Sequence, residues 1–196
     1  MSTSGRPREF KDVAVIDAAI DLFWSKGYEA CSTQELCDRT GLGRGSLYNA
    51  FGSKHELYEQ ALQRYHELGI EAQLEILERP VSAKERLTGL LEWAIDIDFS
   101  HPDRRGCLVL NAAMERAGID PVVERVIGRH IGFLEQALCR LMEDGLRTGE
   151  IRADRPALEL ARLFMSSYHG LRFLNKSTQN REMAMHIVEA TLAAIF

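Results

Sequence analysis

Apolar residues recur three and four positions apart along nearly the whole chain, and alternating β-branched runs are scarce. That pattern predicts an all-α protein with no sheet. The segment VAVIDAAIDLFWSKG sets Ile16, Ala19, Leu22 and Phe23 on one stripe and closes at Gly27. In STQELCDRTG, Ser32 and Glu35 have capping-box spacing and Gly41 supplies a left-handed stop. A third short helix is expected over 44–50. Ser53 and Glu56 repeat the box ahead of a long helix that runs to about Arg79, where Pro80 breaks the pattern. Beyond it, Leu87, Leu91, Ala94 and Ile95 are in phase, SHPDRRG reads as a loop or first turn, and CLVLNAAMERAG is a short helix stopped by Gly118. Asp120 and Pro121 open a long helix to about Arg147. Two further helices, over 156–175 and 180–195, bring the expected total to about nine.

The stretch GLGRGSLYNAFGSKHEL, residues 41–57, departs from a core-forming helix. It mixes four glycines with two cations, hydroxyl groups and an aromatic. Two short helices joined by a tight turn form a helix-turn-helix, whose second helix enters the DNA major groove. Arg44, at the helix start, suits the paired acceptors of guanine. Gly45 allows close approach, and Ser46 and Asn49 offer short polar groups. Tyr48 can set its hydroxyl on a phosphate with its ring packed inward, while Leu47 and Phe51 face the core. Lys54 stands in the first turn of the next helix, where the helix dipole disfavours a cation unless a phosphate is present. Thr33 is placed for the phosphate on the other side.

Residues 18–62, AAIDLFWSKGYEACSTQELCDRTGLGRGSLYNAFGSKHELYEQAL, resemble the TetR family of bacterial repressors. The shared pattern is an apolar helix ending in F-x-x-x-G-[YF], a hydroxyl-rich turn, then G-[VL]-x-x-[GAP]-[ST]-[LI]-Y-x-x-F-x-[SN]-K-x-x-L. The resemblance implies DNA contacts by Thr33, Arg44, Gly45, Ser46, Tyr48, Asn49 and Lys54. Gly43 replaces the Ser or Thr that many members use as the recognition-helix cap, and glycine caps nearly as well. The implied division is a helix-turn-helix domain over 1–56 and a helical ligand-binding and dimerisation domain over 57–196.

Composition restricts how DNA would be held. The 196 residues carry a net charge of -5, with a pI near 5.7, which argues against coating nucleic acid by bulk charge. Residues 1–56 hold one more acid than base. Asp12, Asp17, Asp21 and Glu35 are therefore expected to point away from DNA. Arg6, Arg8, Lys11, Arg44 and Lys54 are expected to point toward it, with GRPR as a minor-groove or phosphate arm. No apolar run is long enough for a membrane span, and MSTSGRPREFKD lacks a secretion segment, so a cytoplasmic protein without a membrane partner is expected. Cys31, Cys37, Cys107 and Cys139 lack zinc-ligand spacing. No metal or cofactor is expected, and no Ser-His-Asp set or phosphate loop supports catalysis.

For the larger part, the resemblance implies a pocket among the middle helices and a dimer interface on the last two. The segments 156–175 and 180–195 are apolar on more than one face, which indicates burial or a partner. Phe164, Tyr168, Leu171 and Ile187 are the interface candidates of a homodimer, as a palindromic operator requires. Trp93, Asn111, Glu115, His130, Tyr168 and His169 are polar groups on apolar segments and candidates for a small-molecule effector site; each taken singly also fits a satisfied core position. Cys107 follows Arg104 and Arg105 near a helix start, a setting that favours a thiolate. It is either a sensing thiol or a small core residue. The expected function is a repressor released from a palindromic operator by a small ligand or by thiol modification. The competing reading is a helical carrier or enzyme with a vestigial DNA-binding segment.

Overall fold

The computed structural model describes residues 6–151 and 155–196, with side chains described from Asp12 onward. Those residues form nine α-helices: α1 (Arg6–Lys26), α2 (Thr33–Thr40), α3 (Arg44–Phe51), α4 (Lys54–Leu77), α5 (Ala83–Ser100), α6 (Leu108–Arg116), α7 (Pro121–Thr148), α8 (Ala157–Thr178) and α9 (Arg181–Ala193). The ends follow local chemistry. Ser32 and Glu35 form the reciprocal box at α2, and Gly41 closes that helix in the left-handed region at φ 71°. Ser53 accepts from the Glu56 N–H. A second complete box is Ser82 with Glu85 at the start of α5. Asp120 caps α7 ahead of Pro121. Residues 176–178, expected as part of a connection, continue α8. Gln179 takes the left-handed turn and Asn180 already caps α9.

Two apolar cores organise the chain. One joins Ala19, Phe23, Leu36, Leu47, Phe51, Leu57 and Tyr58 from α1 through the start of α4, together with Leu108 and Ala112 of α6 and Val123 and Val126 of α7. The other joins the end of α4 with α5, α7, α8 and α9 around Leu87, Leu91, Leu138, Phe164 and Leu171. The expected boundary at 56/57 is thus not where packing divides. The first core crosses it through Leu57–Leu62 and recruits α6 and the start of α7. Helix α4, 24 residues and roughly 36 Å long, runs through both cores. On α1 the buried stripe is Val15, Ala19, Ile20 and Phe23, with Ile16 and Leu22 at its margin. Among the described residues, no helix is long and apolar enough to cross a membrane.

Candidate functional site

Helices α2 and α3 meet across Gly41–Gly43. Buried Leu36, Leu47 and Phe51 seat them on the first core, which turns Gly43, Arg44, Gly45, Ser46 and Asn49 outward to solvent. Nothing lies within 4 Å of where a Gly45 side chain would begin, so the face stays open to a close approach. Tyr48 Oη and Thr33 Oγ1 share a hydrogen bond of 2.6 Å that ties α3 to α2. The Arg44 guanidinium lies 5.8 Å from the Tyr48 ring centre, and Lys54 Nζ lies 4.3 Å from that of Tyr28. Between α3 and α4, Gly52 has φ 81°, and a Cβ there would fall 2.1 Å from Glu56 Oε2, so the turn requires glycine. Thr33 and Tyr48 are joined at the side of the exposed Arg44–Asn49 surface, and Lys54 sits at the start of α4 over Tyr28. Arg6 and Arg8 have side chains outside the described residues.

Ion pairing sorts the charges of this unit. Asp17 binds Arg64 at 2.5 Å. Asp21 pairs with Arg39 and Arg105, and Glu35 with Lys26. The Lys26 and Ser32 hydrogen bonds hold the Glu35 carboxyl down to about 2. Among the described residues, Arg44 and Lys54 have no carboxylate within ion-pair distance. Asp17, Asp21 and Glu35 are thus each engaged by a base, and among the described residues Arg44 and Lys54 keep their charge unpaired.

The C-terminal end of α6 locks onto this unit. Glu115 accepts from the Tyr28 and Glu29 N–H groups at 2.9 and 2.8 Å, and Arg116 pairs with Glu29. Buried Asp120 accepts from His55 Nε2 at 2.8 Å and from Arg116 at 3.2 Å. Burial pushes its carboxyl up, but the His55, Val123 N–H and Arg116 bonds outweigh that and hold it below its usual value. Trp24 Nε1 donates to Gly106 O at 2.8 Å. Glu115, expected near a ligand, therefore spends its carboxylate on the turn after α1.

The second core holds a polar cluster. His66 Nδ1 and His130 Nδ1 are 3.2 Å apart, and the His130 and His169 rings are 6.3 Å apart. Gln73 donates to Tyr168 Oη at 3.1 Å. Arg172 binds Asp98 through Nη2 and Nε at 2.7 and 3.2 Å, with Asn175 donating to the same carboxylate at 3.1 Å. The Trp93 ring centre lies 5.8 Å from the Arg172 guanidinium. Burial pushes His130 down to about 3 and His169 down to about 4, so both are neutral near pH 7. Of the sequence candidates, His130, Tyr168, His169 and Trp93 gather here. Asn111 stands apart, donating to Arg105 O and accepting from Lys176 Nζ, each at 2.8 Å. His66, Gln73, Asp98 and Arg172 were not anticipated.

The interface candidates and Cys107 are placed as follows. Phe164, Tyr168 and Leu171 are buried inside a single chain, because their face of α8 packs on α5 and α7. Ile187 is half-buried. Outward apolar residues of these helices include Leu158, Leu163 and Phe173 on α8 and Met185 on α9, with Ser166, Gly170 and Ala193 exposed near Leu163 and Met185. Cys107 is the N-cap of α6 and only 5% exposed, and Arg105 turns from it toward Asp21 and Asp103. The thiol instead lines a cavity of about 140 Å³ with His169, Arg172 and Lys176. Burial pushes the Cys31 thiol up to about 11, so that cysteine is inert at neutral pH. Among the described residues, no three His, Cys, Asp or Glu side chains are placed to hold a metal.

A helix-turn-helix with a solvent-facing Arg44–Asn49 face and unpaired cations at its start and beside it defines a DNA-binding transcriptional regulator. The family model for bacterial regulatory proteins of the tetR family matches residues 15–61, and that for the tetracyclin repressor-like C-terminal domain matches residues 83–191. The chain belongs to the TetR family, and it is a regulator rather than an enzyme. It is 32% identical over 97% of its length, and 99% of the relative's, to the uncharacterized HTH-type transcriptional regulator YezE of Bacillus subtilis. It is 26% identical to the HTH-type transcriptional repressor ComR of Escherichia coli, covering 96% of this chain and 90% of that one. Among solved structures, a cysteine mutant of the TetR family regulator CifR, complexed with 26 base pairs of double-strand operator DNA, has a TM-score of 0.82 at 28% identity. The match covers 94% of this chain and 96% of that one.

Proposed function

We propose that the protein is a homodimeric repressor. It leaves a palindromic operator when a small effector binds among the C-terminal helices or when the Cys107 thiol is modified. The observation that carries this reading is the division of labour along α4. Its first turn holds Lys54 beside the recognition helix, and its last turns lie in the core that contains the polar cluster. A ligand that shifts the second core therefore acts on the same rod that positions the first, which is the coupling free energy a switch needs. The likeness to ComR, described as a repressor, and to the operator-bound CifR mutant supports the DNA and repressor parts. Leu163 and Met185 with their small neighbours support pairing of two copies through α8 and α9.

The test is footprinting and expression of a reporter driven by the gene's own upstream region. A repressor protects a palindrome with half-sites about one helical turn apart or more, and its deletion raises expression. Falling expression on deletion identifies an activator instead, and no protection of a palindrome overturns the reading. Leu163→Glu should yield folded monomers in sedimentation that lose the operator, whereas Leu171→Glu should unfold the chain. A native monomer at micromolar concentration ends the dimer assignment.

A further inference from the structure

Between the two cores lies a cleft of about 520 Å³, walled by Trp24 of α1, Asn111 and Met114 of α6, and Phe173 and Lys176 of α8. It adjoins the smaller cavity at Cys107, with which it shares Asn111, Met114, Phe173 and Lys176 as walls. Its walls are unusual for a surface that meets only water. Met114 is 71% exposed and Phe173 47%, and they come from different helices. The cleft has the size and the mixed apolar and polar lining of a small-molecule site.

The polar group at its side is held in place. Lys176 Nζ donates to Asn111 Oδ1 at 2.8 Å. Its stem lies over Gly106, where a Cβ would fall 3.0 Å from Lys176 Cδ and 3.1 Å from its Cβ. Gly106 has φ 64°, so glycine both permits the turn and leaves room for the stem. No carboxylate of the described residues lies within ion-pair distance of this ammonium. The other charged groups along these walls are already engaged: Lys26 by Glu35, Glu115 by two backbone N–H groups, and Arg172 by Asp98. Partial burial lowers the Lys176 ammonium below its ordinary value, outweighing the nearby Glu115 carboxylate, which raises it. At the inner end, His169 Nε2 is buried and has no hydrogen-bond partner.

We infer that this cleft is the effector site of the regulator proposed above, and that its ligand is a small aryl carboxylate. The carboxylate sits on Lys176 Nζ and the ring lies between Met114 and Phe173 with an edge toward Trp24. The claim rests on the regulator reading for its role but not for its chemistry. The location gives the ligand leverage. The Trp24–Gly106 hydrogen bond and the Glu115 bonds to the turn after α1 border the same space. A bound ring therefore bears directly on the contacts that fix the helix-turn-helix unit to α6.

The test titrates the full chain with 1-naphthoate and with its neutral counterpart 1-naphthamide, by calorimetry and by tryptophan fluorescence. The acid should bind at least about tenfold more tightly than the amide. Lys176→Met should reduce the acid to the level of the amide, and Lys176→Arg should restore most of the preference. Trp24→Phe should abolish the fluorescence change, whereas Trp93→Phe should keep it. Four results overturn the inference: no binding of the acid up to about 5 mM, equal affinity for acid and amide, an acid preference that survives in Lys176→Met, or a fluorescence change that belongs to Trp93. Operator binding without ligand is measured separately. A protein that binds its operator but shows no acid preference loses this site alone. One that prefers the acid but protects no palindrome loses the regulator reading and keeps the site.

Discussion

The two cores are built on different plans. The first is filled by aliphatic and aromatic side chains, with Phe23, Tyr28 and Tyr58 in mutual ring contact, and most of its ion pairs lie at the surface, with buried Asp120 at its edge beside His55 and Arg116. The second encloses an arginine, a carboxylate, two histidines and a glutamine within its apolar shell. A core of the first kind is a platform: it has one good packing, and it fixes what its surface presents. A core of the second kind depends on each polar group keeping its partner, because an unpartnered one is costly. The region meant to read DNA is the rigid one. The region meant to respond holds the interactions that a small change can unbalance.

The sharpest break of that contrast is to cut one ion pair in each region. Asp98→Ala leaves Arg172 buried and unpaired and should cost ~3–5 kcal/mol, lowering Tm by roughly 10 °C in thermal unfolding. Asp17→Ala removes an exposed pair with Arg64 and should cost less than ~1 kcal/mol. Equal losses would mean that the two regions do not differ in this way.

Titration separates them next. His130 and His169 are held neutral in the native state, to about 3 and about 4, while the unfolded chain takes up protons near 6.5. Protons therefore favour the unfolded state as pH falls from 6.5, and stability is lost progressively toward pH 4. Between pH 6.5 and 5 the carboxylates barely titrate, so a histidine-to-glutamine change at both positions should flatten the Tm profile in that window. An unchanged slope would place the acid sensitivity elsewhere.

Changes on the DNA face should leave Tm alone. Arg44→Ala should relax base preference and cost ~1–3 kcal/mol per half-site in operator binding. Lys54→Ala, the smallest effect, should weaken all sequences alike and lower the salt slope by about one per half-site. If either variant unfolds earlier than the parent, the face is also part of the scaffold.

The helix spans, the recognition face and the glycine turns were legible because they depend on neighbours within a few residues. Ser32, Glu35, Gly41 and the Leu47–Phe51 stripe each specify geometry locally. The second core was less legible, because its polar pairs join positions some 65 to 95 residues apart, as His66 does with His130 and Gln73 with Tyr168. One signal was present. Asp98 continues the stripe of Leu87, Leu91, Ala94 and Ile95, and a charge in phase with an apolar face calls for a buried partner. The faces of α8 and α9 were hard to sort for a related reason. On a helix apolar over much of its surface, periodicity cannot tell the face that meets its own chain from the face that meets another.

The scarcity of free cations on the DNA-binding unit also bears on time. Lys26, Arg39 and Arg64 are tied to acids, and the chain as a whole is negative. Residence on random sequence scales with the phosphates a protein neutralises. Each of these ties removes a cation that would otherwise neutralise a phosphate on any sequence, so it weakens nonspecific more than specific holding. A DNA-binding unit whose bases are largely spent on its own acids must rely more on the base contacts of the recognition helix than on bulk charge.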